Sequence, residues 1–306
     1  MYTSMLVPLD GSKVAETVMP YARFIAGRFK LPVELLAALD IAELGTHISV
    51  GQSRFLSTLV EDSMQSSEAY LKRIAHTFDG ADVKRTVDKG RAADIIVDKA
   101  AADGGMLIAM ATHGRSGLNR WMLGSVAERV LRGSTNPLLL IRAIEPSRPD
   151  GTVSLKSLIV PLDGSELAES VFPTVAAFAK NLDLAVILFR SYIIPYAIYG
   201  YGYGYYAIDV QQLTAEMADE ARTYLEEKVS EIKTLGVERV SCVAKEGLSA
   251  DEIIKLARET PDCLIAMCSH GRSGMKRWAL GSVTETVVRH SDAPVLILRP
   301  AILSEG

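Results

Sequence analysis

Hydrophobic positions in this chain fall into short runs separated by longer, periodically patterned stretches. In the N-terminal half, SMLVPLD (4–10), PVELLAALD (32–40), VKRTVDKG (83–90), MLIAMA (106–111) and PLLLIR (137–142) are apolar or alternating runs of strand length. Between them, VAETVMPYARFIAGRF (14–29), the stretch from Phe55 to Phe78, ADIIVDKAAAD (93–103) and SVAERVLRG (125–133) carry apolar residues at helical spacing. The C-terminal half repeats the order, with SLIVPLD, LAVILF, RVSCVA, CLIAMC and PVLILR as its strands. Strands alternating with helices require right-handed crossovers, and these give a parallel sheet covered on both faces. The pattern predicts an α/β chain of two doubly wound domains, each a five-stranded parallel sheet flanked by helices. Ligands of such sheets bind beyond the carboxyl ends of the strands, where strand order reverses. The first and fourth strands are the candidates, and both run into glycine-bearing turns.

The two halves are copies. ATHGRSGLNRWMLGSVAERVLRGSTNPLLLIR (111–142) and CSHGRSGMKRWALGSVTETVVRHSDAPVLILR (268–299) are identical at 18 of 32 positions. Gly90 and Gly247, Gly114 and Gly271, and Gly124 and Gly281 all stand 157 residues apart, whereas Asp10 and Asp163 stand 153 apart. The second half therefore carries a net insertion, which composition assigns to the tyrosine–glycine stretch YIIPYAIYGYGYGYYAID (192–209). The join AIEPSRPDGTVS (143–154) reads as a linker. The domains expected are 1–145 and 154–302.

Composition narrows the class. The chain has 306 residues, 48% hydrophobic and 23% charged, with a formal net charge of −4. That is ample for packed cores and gives no general attraction to nucleic acid or an anionic membrane. No apolar run reaches the roughly 18 residues of a membrane span. The three cysteines (Cys242, Cys263, Cys268) form no zinc spacing and no disulfide framework, so a reducing, cytoplasmic setting is expected.

The chemistry sits after the strands. HGRSGLNRWMLGS (113–125) and HGRSGMKRWALGS (270–282) each end in Gly-Ser at the start of a helical pattern. Glycine admits close backbone approach and positive φ, and a helix N-terminus offers unpaired N–H groups to an anion. Ser125 and Ser282 either cap their helices or donate a hydroxyl to a phosphate, and Arg115 and Arg272 add positive charge. Asp10 and Asp163 either accept from a nucleobase or ribose or close an Asx turn. His113 and His270 lack neighbouring ligands for a metal, and no metal site or catalytic residue is assigned. Trp121 and Trp278 read as anchors of their loops.

PLDGS in each half, the glycine at 90, and HG followed nine residues later by GS together resemble the universal stress protein family, over nearly the whole of both halves. The resemblance implies a tandem protein of adenine nucleotide α-hydrolase-like fold, with the halves related by pseudo-twofold symmetry. It implies ATP, with or without Mg2+, on the motif G-x2-G-x9-G-S/T. Phosphates would meet Gly114, Gly124 and Ser125, or Gly271, Gly281 and Ser282. Val126 and Val283 follow the serines, and Met110 and Met267 precede the first motif position. Pro8, Leu9 and Asp10, or Pro161, Leu162 and Asp163, would line the adenine side. Ala38 would add a backbone contact; its counterpart in the second half is unassigned. The first motif glycine is replaced by Ala111 and Cys268. The implied function is nucleotide-dependent stress-response binding with at most slow hydrolysis, since no G-x4-G-K-[ST] is present. The alternatives are a nucleotide-independent interaction protein or an enzyme activating a small acid. The apolar fifth strands predict pairing of the two domains, and a homodimer beyond it. The tyrosine–glycine stretch reads as a contact surface.

Overall fold

A computed structural model describes residues 2–41, 56–112, 123–142, 152–194, 210–269 and 280–299. Among the positions singled out above, His113, Gly114, Arg115, Trp121, His270, Gly271, Arg272 and Trp278 lie outside the described residues, as do most of the tyrosine–glycine stretch and of the linker.

The chain divides into two compact units, Met1–Val153 and Ser154–Gly306. In unit 1 the order is β1 (Ser4–Pro8), a 3-10 turn (Ala15–Val18) leading into α1 (Met19–Phe29), β2 (Val33–Leu39), α2 (Leu56–Ala75), β3 (Val83–Lys89), α3 (Ala92–Ala101), β4 (Met106–Ala111), α4 (Ser125–Gly133) and β5 (Leu138–Ile141). Unit 2 follows with β6 (Ser157–Pro161), the short α5 (Glu166–Glu169), α6 (Phe172–Leu182), β7 (Ala185–Tyr192), α7 (Val210–Thr234), β8 (Val240–Glu246), α8 (Ser249–Glu259), β9 (Cys263–Cys268), α9 (Ser282–His290) and β10 (Val295–Leu298).

Within unit 1 the strands lie in the order β3-β2-β1-β4-β5, and within unit 2 in the order β8-β7-β6-β9-β10. Neighbours within each unit are parallel. Each unit is thus the doubly wound α/β sheet that the periodicity predicts. The fourth and fifth strands of each unit are apolar because both their faces are covered: every residue of β4, β5, β9 and β10 is buried. β3 stands at the end of its order and keeps Lys84 and Arg85 exposed, a placement that discourages further strand addition.

Two sequence expectations shift. The helix expected from Val14 opens as a 3-10 turn and becomes an α-helix only at Met19, with Pro20 in its first turn, where a missing N–H costs nothing. The extra residues of unit 2 fall mostly elsewhere than expected. β2 and β7 keep the 153-residue offset to their last residues, Leu39 and Tyr192, and inside the helices that follow, the buried Leu71 and Leu225 stand 154 apart. The offset reaches 157 only at β3 and β8, and α7 runs on to Thr234 where α2 ends at Ala75, so most of the insertion lies between Leu225 and β8.

Candidate functional site

From β1 the chain winds outward through β2 to β3, then returns across β1 to place β4 on its other side. The strand ends of β1 and β4 therefore part at the reversal point, where a crevice must open. Unit 2 does the same at β6 and β9.

One wall is the turn after the first strand. The Leu9 N–H donates to the Leu36 carbonyl at 2.8 Å, prolonging the ladder by one residue. Asp10 Oδ1 accepts the Ser12 N–H at 2.9 Å, and Ser12 Oγ accepts the Ala15 N–H at 3.1 Å. Gly11 between them has φ 82°, a left-handed value that a side chain would oppose. Unit 2 reproduces each feature. Leu162 donates to Phe189 at 2.8 Å, Asp163 Oδ1 accepts from the Ser165 N–H at 3.0 Å, and Ser165 Oγ caps Ala168 at 3.2 Å. Ser165 Oγ also donates to Asp163 Oδ1 at 2.6 Å, and Gly164 has φ 83°. Of the two roles open to these aspartates, the Asx turn is present in both units. It engages Oδ1 and fixes the carboxylate at the crevice lip. Pro8 and Pro161 are half-buried beside it. Leu9 and Leu162 are buried, so they would meet a ligand through their backbone.

The opposite wall is the start of the helix after the fourth strand. Met110 and Ala111 in unit 1, and Met267 and Cys268 in unit 2, are buried. One residue beyond the strand, Thr112 donates its N–H to Ile141 at 2.9 Å, and its carbonyl accepts the Gly124 N–H at 2.8 Å. Thr112 and Gly124 are thereby tied to each other, and the first turn of α4 is held at the mouth of the crevice. The unit 2 bonds are Ser269 N–H to Leu298 at 2.9 Å and Gly281 N–H to Ser269 at 2.9 Å.

The helix cap differs from one of the two roles considered for the serines. Gly124 and Gly281 are the N-caps, with φ −61° and −63°, and neither helix start has a side-chain cap bond. Ser125 and Ser282 are the first helical residues and are exposed, so neither is a cap. Positive φ is also not what glycine supplies at 124 and 281. What it supplies is a cap without a side chain, which leaves the first amides of the turn facing outward with the positive end of the helix dipole. Val126 is exposed there, and Val283 is half-buried.

The third wall is the end of the second strand, and here the structure assigns a residue that the sequence left open. Ala38 pairs with Asp88, and Ser191 pairs with Lys245 at the matching register. Gly90 and Gly247 donate to Leu39 and Tyr192 at 2.9 Å and close the same turn in both units. Ser191 is therefore the counterpart of Ala38. The repeated glycine, paired across the strand end, was the signal that could have found it. Its hydroxyl donates to Ser249 Oγ at 2.7 Å.

Side chains behind this frame differ between the units. Thr284 Oγ1 donates to the buried Cys268 carbonyl at 3.0 Å, where unit 1 has Ala127. Arg299, following β10, lies near Cys268, and burial pushes its pKa down. The Cys263 thiol is pushed up to about 11, first by burial, and the Cys242 thiol is raised for the same leading reason. Neither has thiolate character. Among the described residues no cluster of His, Cys, Asp or Glu is suited to a metal ion, and no helix is long and apolar enough to cross a membrane.

The family model described as universal stress protein family matches residues 1–142 and again 154–299. Universal stress protein MJ0531 of Methanocaldococcus jannaschii is 30% identical over 142 residues, covering 46% of this chain and 83% of that protein. Universal stress protein MJ0577 of the same organism is 28% identical over 158 residues, covering 48% of this chain and 97% of its own length. The crystal structure of a universal stress protein from Archaeoglobus fulgidus aligns over 98% of this chain and 97% of that one, with TM-score 0.67 and 20% identity, a likeness of fold. With a match in each half, the chain belongs to the universal stress protein family.

Proposed function

We propose that this chain is an adenine-nucleotide-binding regulatory protein of the stress response, taking ATP, with or without Mg2+, in the crevice of each unit. The observation that carries the reading is the helix start at 124–126 and 281–283. In both units an N-terminus without a side-chain cap is tied by a backbone bond to the end of the fourth strand. Amides held in this way are ready donors to phosphate oxygens. The fit is chemical as well as geometric, because the exposed Ser125 and Ser282 hydroxyls stand beside those amides. In this reading Gly114 with Arg115, and Gly271 with Arg272, complete the phosphate grip. The Asp10 and Asp163 carboxylates accept from the base or ribose, and the backbone at Ala38 and Ser191 meets the base edge. A bound Mg2+ would be held by phosphates and water, since no carboxylate cluster is available among the described residues.

The chemistry expected is binding. Phosphoryl transfer needs a positioned base and dedicated metal carboxylates, and no residue here is assigned to either role. Hydrolysis, if measured, is expected to be slow. We further propose a cytoplasmic location and a homodimer, the latter tested by sedimentation. Purified chain, heat-denatured and clarified, should release adenine nucleotide detectable by mass spectrometry, and calorimetry should register ATP binding. Absence of both in the wild-type chain would leave a nucleotide-independent interaction protein as the reading.

A further inference from the structure

Behind the Asp163 turn lies a side-chain cluster that the nucleotide reading does not use. The Tyr224 hydroxyl, on α7, donates to Glu169 Oε1 at 2.7 Å, and Lys228 Nζ donates to Glu169 Oε2 at 2.7 Å. The Arg190 guanidinium lies 4.5 Å from the centre of the Tyr224 ring and 3.5 Å from Glu220. Arg190, Lys228 and Glu169 have side chains only 14%, 18% and 21% exposed, so the contacts of Glu169 and of the Tyr224 ring are shielded from water, whereas Glu220 is 76% exposed. Two crevice elements meet a covering helix here. Glu169 ends the short helix whose cap, Ser165, is bonded to Asp163. Arg190 directly precedes Ser191 at the end of β7. Tyr224 belongs to α7, the helix that covers β7 and β8. Burial first and Glu169 second raise the Tyr224 pKa, so its hydroxyl remains a donor across the neutral range.

Unit 1 has the tyrosine and the carboxylate without the closure. Tyr70 lies beside Glu16, with Arg73 5.3 Å from its ring centre and 3.6 Å from Glu16. The Tyr70 hydroxyl is buried but makes no well-aligned hydrogen bond, although Glu16 is near enough to raise its pKa after burial itself. Arg73 is 62% exposed. Ala37 occupies the register of Arg190, so no guanidinium reaches the ring from the strand.

We infer that Tyr224 is a positioning residue for the unit 2 crevice, bracing the Asp163 turn and the Ser191 strand end against α7 through Glu169 and Arg190. A site whose walls are ordered before the ligand arrives loses less entropy on binding. For its ligand the inference rests on the nucleotide reading; the brace itself is measurable without one. The test uses the full-length chain with Tyr224→Phe, which keeps the ring over which Arg190 sits and deletes only the donated hydroxyl. Hydrogen exchange without ligand should quicken about tenfold at residues 163–171, the scale of one hydrogen bond to a charged group, with residues 10–18 of unit 1 unchanged. Glu169→Gln, whose amide oxygen still accepts the phenol proton, should keep most of the protection that Glu169→Ala loses. ATP affinity at unit 2, followed by protection of residues 281–286, should fall about three- to tenfold. Unchanged exchange at 163–171 overturns the inference, as does loosening confined to α7. Loosening with intact ATP affinity also overturns it, by making the brace a stability element only. If the wild-type chain takes no ATP yet Tyr224→Phe loosens 163–171, the nucleotide reading falls and the brace stands.

Discussion

Replacing Ser125 by Glu separates the helix start as a stability element from the helix start as an anion site, because the two roles respond with opposite signs. Ser125 is the exposed first residue of α4, its cap is a glycine, and Glu128 is the one acid in the first turn. A carboxylate at 125 meets the positive helix end and should stabilise ligand-free unit 1 by about 0.3–1 kcal/mol. The same carboxylate would stand beside the phosphate. Two like charges about 4 Å apart repel by about 1 kcal/mol in water and about 4 kcal/mol near a protein surface. With 125 exposed, the lower part of that range applies, and ATP binding to unit 1 should weaken about 10- to 30-fold. In thermal unfolding at ATP about 100-fold above the wild-type Kd, the wild-type site gains about 2.7 kcal/mol, and a tenfold weaker site gains about 1.4 kcal/mol. Ser125→Gln, uncharged and of equal length, serves as control: it should lack the gain in free stability, and whatever ATP affinity it loses with the hydroxyl is subtracted, so the charge effect is the difference between the Glu and Gln variants. If Ser125→Glu stabilises the free protein and leaves the ATP-induced gain intact, the phosphates are not at this helix. If it destabilises the free protein, the first-turn amides are already satisfied and the geometric argument fails.

Four further substitutions test the frame around the sites. In unit 1, Lys99 pairs with Glu34 at 3.1 Å and Asp88 at 3.2 Å, and Thr86 donates to Glu34 at 2.7 Å. Burial is the largest single influence on the Glu34 pKa and raises it, but Thr86, Lys99 and Lys84 together outweigh it, so the net shift is downward. The stabilisation is therefore complete above the ordinary Glu value of 4.5 and is lost as pH falls through the lower folded value. Lys99→Met should cost about 1–3 kcal/mol at neutral pH and flatten this acid dependence in urea titrations followed by circular dichroism. Gly247→Ala should cost about 1–3 kcal/mol, because φ is 142° and the added carbon would lie 2.8 Å from Glu252 Cγ. Gly90→Ala, with φ 140° but its nearest neighbour at 3.4 Å, should cost less in the same thermal melts. Tyr70→Phe removes a buried hydroxyl that lacks a well-aligned partner and should raise unit 1 stability by up to about 1 kcal/mol; a loss of that size would show that Tyr70 is braced after all.

The strands were legible because their apolar runs report burial on both faces, a property each residue carries locally. MLIAMA and CLIAMC are β4 and β9 without a residue of difference. The crevice was legible one step later, since a doubly wound parallel sheet reverses its strand order and the PLDGS turn and the Gly-Ser helix start follow the two strands at that reversal. Less was readable where partners lie far apart in sequence. Glu34 sits in an apolar strand run, and an acid there requires a buried partner, yet nothing local identifies Lys99, 65 residues on. Tyr224 and Glu169 are 55 residues apart and meet only because α7 crosses behind the Asp163 turn. The cap was missed by a single position: serine is a good N-cap by type, and only the backbone shows Gly124 in that role with Ser125 inside the helix.

The two units together show which parts of such a site can drift. The backbone frame is reproduced closely: Leu9 and Leu162 donate at 2.8 Å, Gly124 and Gly281 donate at 2.8 and 2.9 Å, and Gly11 and Gly164 have φ 82° and 83°. The surrounding side chains are not. Glu34 becomes Ile187, Lys99 becomes Leu256, Ala127 becomes Thr284, and Ala38 becomes Ser191. A grip made of main-chain amides tolerates that exchange, because its donors depend on the helix start and its glycine cap and not on any side chain outside them. Divergence in the walls then alters which ligand fits, or how ordered the crevice is beforehand, without dismantling the donors. Loss of ATP binding in one unit alone should therefore trace to wall residues such as Cys268, Thr284 or Ser191. If Gly281→Val, which crowds the cap, leaves unit 2 binding unchanged while wall substitutions abolish it, the amides are not the grip in that unit.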